Sequence, residues 1–254
     1  MDYISVFTDT NIVGFLLLFF RFGSLFIAVP IFSHNAIPMS IKSAMAFVFT
    51  VVFYASMPPI AFEVNLINVM FAVISEILFG LVIGLVLQLA FSVVSFGAGL
   101  ITFAMGFSLA NAIDPESGAS SPVVNQFLGM MAIMVLFSLN LHHWMLLFID
   151  NSLKHIPLGG FVITKSLFAY MLQASANLFV VGFTIAFPII ALSWMSDIIF
   201  GMLMKTMPQF NLLVIGTPFK IIITFGVLIA IFTSSMLILQ SQMQDAFNWL
   251  ETLF

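Results

Sequence analysis

Residues 66–113 read LINVMFAVISEILFGLVIGLVLQLAFSVVSFGAGLITFAMGFSLANAI, and Glu76 is the only charged side chain among them. A helix needs about 20 apolar residues to cross a bilayer. At about 1.5 Å rise per residue this run is too long for one span. It predicts two helices, or one long helix that bends. SFGAG at 95–99 is the expected bend, because paired glycines loosen a helix.

The rest of the chain repeats the theme. Further apolar runs cover roughly 12–32, 43–62, 123–149, 166–204 and 211–240. Four of them fit one helix each. The run at 166–204 is longer, and Pro188 inside it predicts a kink. Pro218 predicts a break or kink near the start of the last run. Turn formers sit between the runs: SHNAIPMS (33–40), MPPI (57–60), HIPLGG (155–160) and KTMPQFN (205–211). The expected fold class is all-α, an integral membrane or membrane-complex protein of long kinked apolar helices and helical hairpins.

Composition supports that class. Hydrophobic residues make up 62% of the 254 and charged residues 6%, against about 25% charged in an ordinary soluble domain. Six Lys+Arg and ten Asp+Glu cannot coat a soluble surface of this length. The net charge of −4 gives no basic footprint for nucleic acid. With no cysteine, disulfides, thiolate metal sites and cysteine nucleophiles are excluded. The start, MDYISVFTDTN, lacks the basic region of a secretory signal, so the first apolar span is expected to be retained. Lys42, Lys154, Lys165 and Lys205 do not alternate with any simple threading, so the positive-inside rule gives no orientation. Such a weak charge bias also fits helices held by partner subunits.

Few polar groups interrupt the apolar runs. Arg21 lies mid-way along the first. An arginine there costs about 2.5–3.5 kcal/mol on insertion scales, so it needs a partner or a wet pocket. Glu76 is the first candidate for an intramembrane ion pair; a structural pair between packed helices is favoured over an ion or proton path. Asp197, Lys205 and Lys220 are the other interruptions. Asp197 and Lys205 are two helical turns apart, too far to pair directly. His142 and His143 are adjacent, point about 100° apart in a helix, and would not readily share a metal. No HExxH, Walker loop, GxGxxG or nucleophile–base pair is present. No catalytic residue, cofactor or metal site is assigned, and the chain reads as non-enzymatic.

Gly80, Gly84, Gln88 and Ser92 recur every four residues, the small-xxx-small pattern of close helix contact. Gly80, Gly84 and Ser92 are therefore candidate packing positions. Phe (32) and Met (17) are abundant and fill irregular contacts. In MQDAFNWLETLF, Met243, Ala246, Phe247, Leu250, Leu253 and Phe254 share one helix face. The opposite face carries Asp245 and Glu251. This amphipathic tail suits either a protein partner or the membrane interface.

One segment is polar. NAIDPESGASSPVV (111–124) follows 37 residues without a charge, and 33 more follow Glu116. Asp114-Pro115 starts a turn, Gly118 permits positive φ, and Pro122 suits the first turn of the next helix. The expected structure is an ordered loop between two helices.

Four stretches carry a resemblance: RFGSLFIAVPIFSHNAIPMSIKSAMA (21–46), EILFGLVIGLVLQLAF (76–91), MGFSLANAIDPESGASSPVV (105–124), and the region from PLGG (157–160) to MPQFNLLVIGTPF (207–219). The chain resembles the FliR family, export-gate subunits of flagellar and related type III secretion systems. The resemblance implies a FliP-like N-terminal part (1–165) joined to a FliQ-like C-terminal hairpin with the amphipathic tail (166–254). It implies assembly with FliP- and FliQ-like subunits, with FlhB- and FlhA-like subunits nearby. The expected site is the bacterial inner membrane at the flagellar basal body, and the expected cargo is unfolded protein substrate. By the same resemblance the central loop is the pore plug: Asp114, Pro115, Glu116, Ser117, Gly118, Ala119, Ser120, Ser121 and Pro122. Met105, Phe107 and Ile113 beside it are candidate seal residues. The competing reading is a secondary transporter or small-ion channel using Arg21, Glu76 and Asp197. Many transporters show an inverted repeat with paired broken helices, and no convincing one is found here.

Overall fold

The computed structural model describes residues 9–33, 37–60, 62–106, 123–207 and 216–253. Among them there is no strand. The helices are α1 (Asp9–Ala28), α2 (Pro30–Ser33), α3 (Met39–Phe53), α4 (Leu66–Met105), α5 (Val123–Ser138), α6 (Leu141–His155), α7 (Lys165–Thr206) and α8 (Thr217–Glu251). Five of them (α1, α3 with the 3₁₀ turn after it, α4, α7 and α8) are long and apolar enough to cross a membrane. A sixth span arises if the bent pair α5 and α6 counts as one.

Local chemistry sets several boundaries. Asn65 caps α4, its Oδ1 accepting the N–H of Asn68 at 2.8 Å. Thr164 does the same for α7, accepting the N–H of Leu167 at 3.3 Å. Pro38 precedes α3 in extended conformation, as a residue outside a helix can. Pro218 falls in the first turn of α8, where its missing N–H has no helical acceptor to lose.

The structure bears on three of these expectations. The long run from 66 takes the second of its two expected forms, one continuous 40-residue helix, α4. The reason lies at Gly97: a Cβ there would sit 3.0 Å from the carbonyl oxygen of Gly182. The glycine admits a neighbouring backbone rather than ending a helix. The helix α7 also continues through Pro188, as a kinked helix can. The run at 123–149 is instead two helices, α5 and α6, bent by 60°. Asn140 makes that break in left-handed conformation, φ 57°, which asparagine tolerates better than most residues.

The chain forms two compact units. The first takes residues 1–89, 136–172 and 243–254, and the second 90–135 and 173–242. In the first, Leu17, Leu18, Phe22 and Leu25 of α1 and Phe79, Ile83 and Leu87 of α4 are fully or almost fully buried. Each contributes up to about 1.5–3 kcal/mol of burial free energy. Phe22 lies in an aromatic cluster with Phe26, Phe49 and Phe53. Met243, Ala246, Phe247 and Leu250, the apolar face of the C-terminal stretch, are buried in this same unit. Phe247 meets Trp144, and Trp249 stacks on Tyr170 at 3.8 Å. That face is therefore covered by the chain itself, not left for a partner or a membrane surface; Phe254 lies outside the described residues.

The second unit is centred on Val94, Ala98, Ile101 and Met105 of α4, Ala132 of α5, and Ala186 and Ile189 of α7, with Leu239 of α8. Phe96 meets Phe179 edge-on at 5.2 Å, and Ser193 donates to the carbonyl of Ala104 at 2.7 Å. Outside these cores, α7 and α8 expose large apolar side chains such as Val180, Trp194, Ile198, Ile222 and Ile229.

Candidate functional site

Arg21 is fully buried in the first unit. Its guanidinium and the Glu76 carboxylate are both 0% exposed. Nε bonds Glu76 Oε2, and Nη2 donates to Oε1 at 2.9 Å, a two-pronged fork. Nη1 reaches Ser152 Oγ of α6 at 3.4 Å, and Nη2 the Ile156 carbonyl at 3.5 Å. Its Cζ lies over the Phe79 ring, 4.6 Å from the centroid, a cation–π contact.

Glu76 has a further partner. Its Oε1 accepts the backbone N–H of Gly159 at 2.7 Å. Gly159 is the third residue of a turn closed by Gly160 N–H to the Pro157 carbonyl. Its φ is +76°, and a Cβ there would sit 3.2 Å from the Cα of Ala72. Only glycine meets both conditions without strain. Ser75 donates to the Phe161 carbonyl at 3.0 Å, tying the same loop to α4.

The helix crossing beside this pair explains its geometry. A Cβ on Gly80 would collide with the Ser24 side chain and lie 2.8 Å from the Leu25 nitrogen. On Gly84 it would collide with Ala28, 2.7 Å from its carbonyl carbon. So α1 and α4 touch backbone to backbone, and Arg21 and Glu76 meet one turn further along. Ser92, half-buried, belongs to the part of α4 in the second unit.

Chemically, this constellation is a closed, neutral clamp joining α1, α4, α6 and the Pro157–Gly160 turn. Neither charge is open to a passing ion in this arrangement. Asp197, the third group of the transporter reading, lies in the second unit. Lys220 donates to both its carboxylate oxygens at 2.8 Å. Asp197 is 54% exposed and Lys220 14%. Sequence reasoning did not pair these two; the signal was that α7 and α8 are consecutive helices, which commonly pack as neighbours. Ser152 and Gly159 were also missed.

His142 and His143 open α6, their rings 4.2 Å apart. His142 Nδ1 is buried and has no hydrogen-bond partner among the described residues. No group of three or more His, Cys, Asp or Glu with metal-binding spacing occurs among the described residues. Met105, at the end of α4, is fully buried in the second unit. Phe107, Ile113 and the segment Asp114–Pro122 lie outside the described residues.

The family profile described as Bacterial export proteins, family 1, matches residues 12–246. The flagellar biosynthetic protein FliR of Bacillus subtilis (strain 168) is 34% identical over 222 residues, 85% of each chain. Its namesake in Escherichia coli (strain K12) is 26% identical over 211 residues, 83% of this chain and 81% of that one. That of Pectobacterium carotovorum is 28% identical over 214 residues, 83% and 82% of the two. The profile takes in α1, α4 and α6, the helices the clamp joins, and the chain belongs to the bacterial export proteins, family 1, the family of the flagellar biosynthetic proteins FliR.

Proposed function

We propose that this chain is a non-enzymatic component of the flagellar protein-export apparatus, a membrane protein that builds the export channel with FliP- and FliQ-like subunits. The observation that carries the reading is the family match along residues 12–246. The buried polar chemistry is compatible with it, because Arg21, Glu76, Ser152 and Gly159 saturate one another and present no reactive group. The large apolar side chains exposed on α3, α7 and α8 favour cover by lipid or neighbouring subunits.

In this reading residues 1–165 form a FliP-like part and 166–254 a FliQ-like part. FlhB- and FlhA-like subunits are neighbours, and unfolded export substrates are the cargo. The assembly sits in the bacterial inner membrane at the flagellar basal body. Residues Asp114–Pro122 plug the pore, and Met105, Phe107 and Ile113 seal around them. The polar, turn-rich sequence of that segment between two apolar runs supports a movable plug.

The test is purification of the tagged chain from its own membranes. FliP- and FliQ-like chains should come with it, and loss of the chain should abolish flagellar export. A chain that purifies alone as a monodisperse species, in cells whose export survives its deletion, would sink the reading.

A further inference from the structure

An open groove of about 330 Å³ lies in the first unit between α1, α3 and α4. Phe19, Gly23 and Ile27 form one wall, Ala46 the second and Leu81 the third. Gly23 leaves room there, since a Cβ on it would meet nothing within 4 Å. The glycine is thus not serving a helix contact, unlike Gly80 and Gly84. One charged side chain lines the groove, Lys42. It has no carboxylate within ion-pair distance among the described residues.

Lys42 also has a defined level. Ile27, near the end of α1, lines the same groove as Lys42. Lys42, in the first turn of α3, therefore stands near the end of α1, while Phe19 stands deeper. The groove is apolar in its depth and cationic at one end.

We propose that this groove binds one anionic phospholipid, its acyl chain along Gly23 and its phosphate on Lys42. An apolar trough alone would accept any hydrocarbon. A lysine with no carboxylate partner among the described residues, at the level where a helix ends, matches a headgroup instead, because lysine stems lie along apolar surface with the ammonium at the polar boundary. One lysine near an anionic surface gives a preference of about fivefold over a neutral headgroup. The site gives the chain a lipid wedged between three of its helices, not merely lipid around its perimeter.

The test is photolabelling of the purified full chain, or of its complex, in nanodiscs of phosphatidylcholine doped with phosphatidylglycerol carrying a diazirine in its acyl chain. Label should concentrate on peptides containing Gly23 and Ala46. It should be several-fold weaker when the same diazirine is carried by phosphatidylcholine. Gly23→Trp should abolish labelling there while sparing other peptides, and Lys42→Gln should remove the headgroup preference while leaving acyl labelling. Labelling spread evenly over exposed helices and indifferent to both variants would overturn the proposal. So would a photoreactive residue at position 23 that captures a protein chain in place of lipid.

Discussion

Gly159 gives its backbone N–H to Glu76 at 2.7 Å, on the carboxylate oxygen that also receives Nη2 of Arg21. A surface turn and two helices thus share one buried acid. The loop is tied to the fold by a backbone group, so its side-chain sequence matters less than its one positive φ.

The buried pair should respond to mutation as a unit. Arg21→Met alone, or Glu76→Leu alone, strands an uncompensated buried charge and should cost about 3–5 kcal/mol. The double variant should lose much less than the sum. A thermal-stability cycle on the purified complex measures this, and simple additivity would show that the two side chains do not interact.

Glycines along one helix should differ sharply. Gly84→Ala places a methyl against the Ala28 backbone and should destabilise by about 1–3 kcal/mol. Gly99→Ala meets nothing within 4 Å and should be neutral, or stabilising by up to about 1 kcal/mol. Gly84→Leu should abolish assembly. Equal melting temperatures for Gly84→Ala and Gly99→Ala would show that α1 does not press on α4 at residue 84.

At Gly159, substitution by alanine meets both strain and contact. The positive φ costs about 1–3 kcal/mol for a residue with a Cβ, and Ala72 blocks the methyl. Limited proteolysis should then cut the 156–164 loop of Gly159→Ala faster than that of the native chain. Unchanged cleavage would mean that the loop is held elsewhere.

The plug proposal has its own measurement. Deleting Gly118–Ser121 should leave assembly intact and raise the ion permeability of cells that express the whole gate. Normal permeability with assembly verified would make the segment an ordinary loop.

Much of the fold was legible because oil-rich runs leave few options. An arginine inside such a run demands a carboxylate, and Glu76 is one of few acids in an apolar setting. Gly80 and Gly84 announce close contact by spacing alone. Other features carry no periodic signal. Ser152 lies 131 residues from Arg21, and Gly159 83 from Glu76; nothing in sequence separation points to such contacts. Gly97 read as a weak point because a helix glycine that breaks and one that packs look the same until the neighbour is seen. The break at Asn140 lacked the expected proline or glycine.

One consequence concerns the life of the newly made chain. The 40 residues of α4 extend about 60 Å, twice the roughly 30 Å of bilayer hydrocarbon. Fitting it across would take a tilt of about 60°, beyond the roughly 40° at which spanning helices are found. We predict that the helix sits poorly in lipid by itself, and that an orphan copy is degraded because of that excess apolar length. Pulse-chase turnover should be fast when the chain is made alone and slow when its partner subunits are made beside it. Cells would then match the supply of this subunit to its partners by destroying the surplus, without a dedicated regulator.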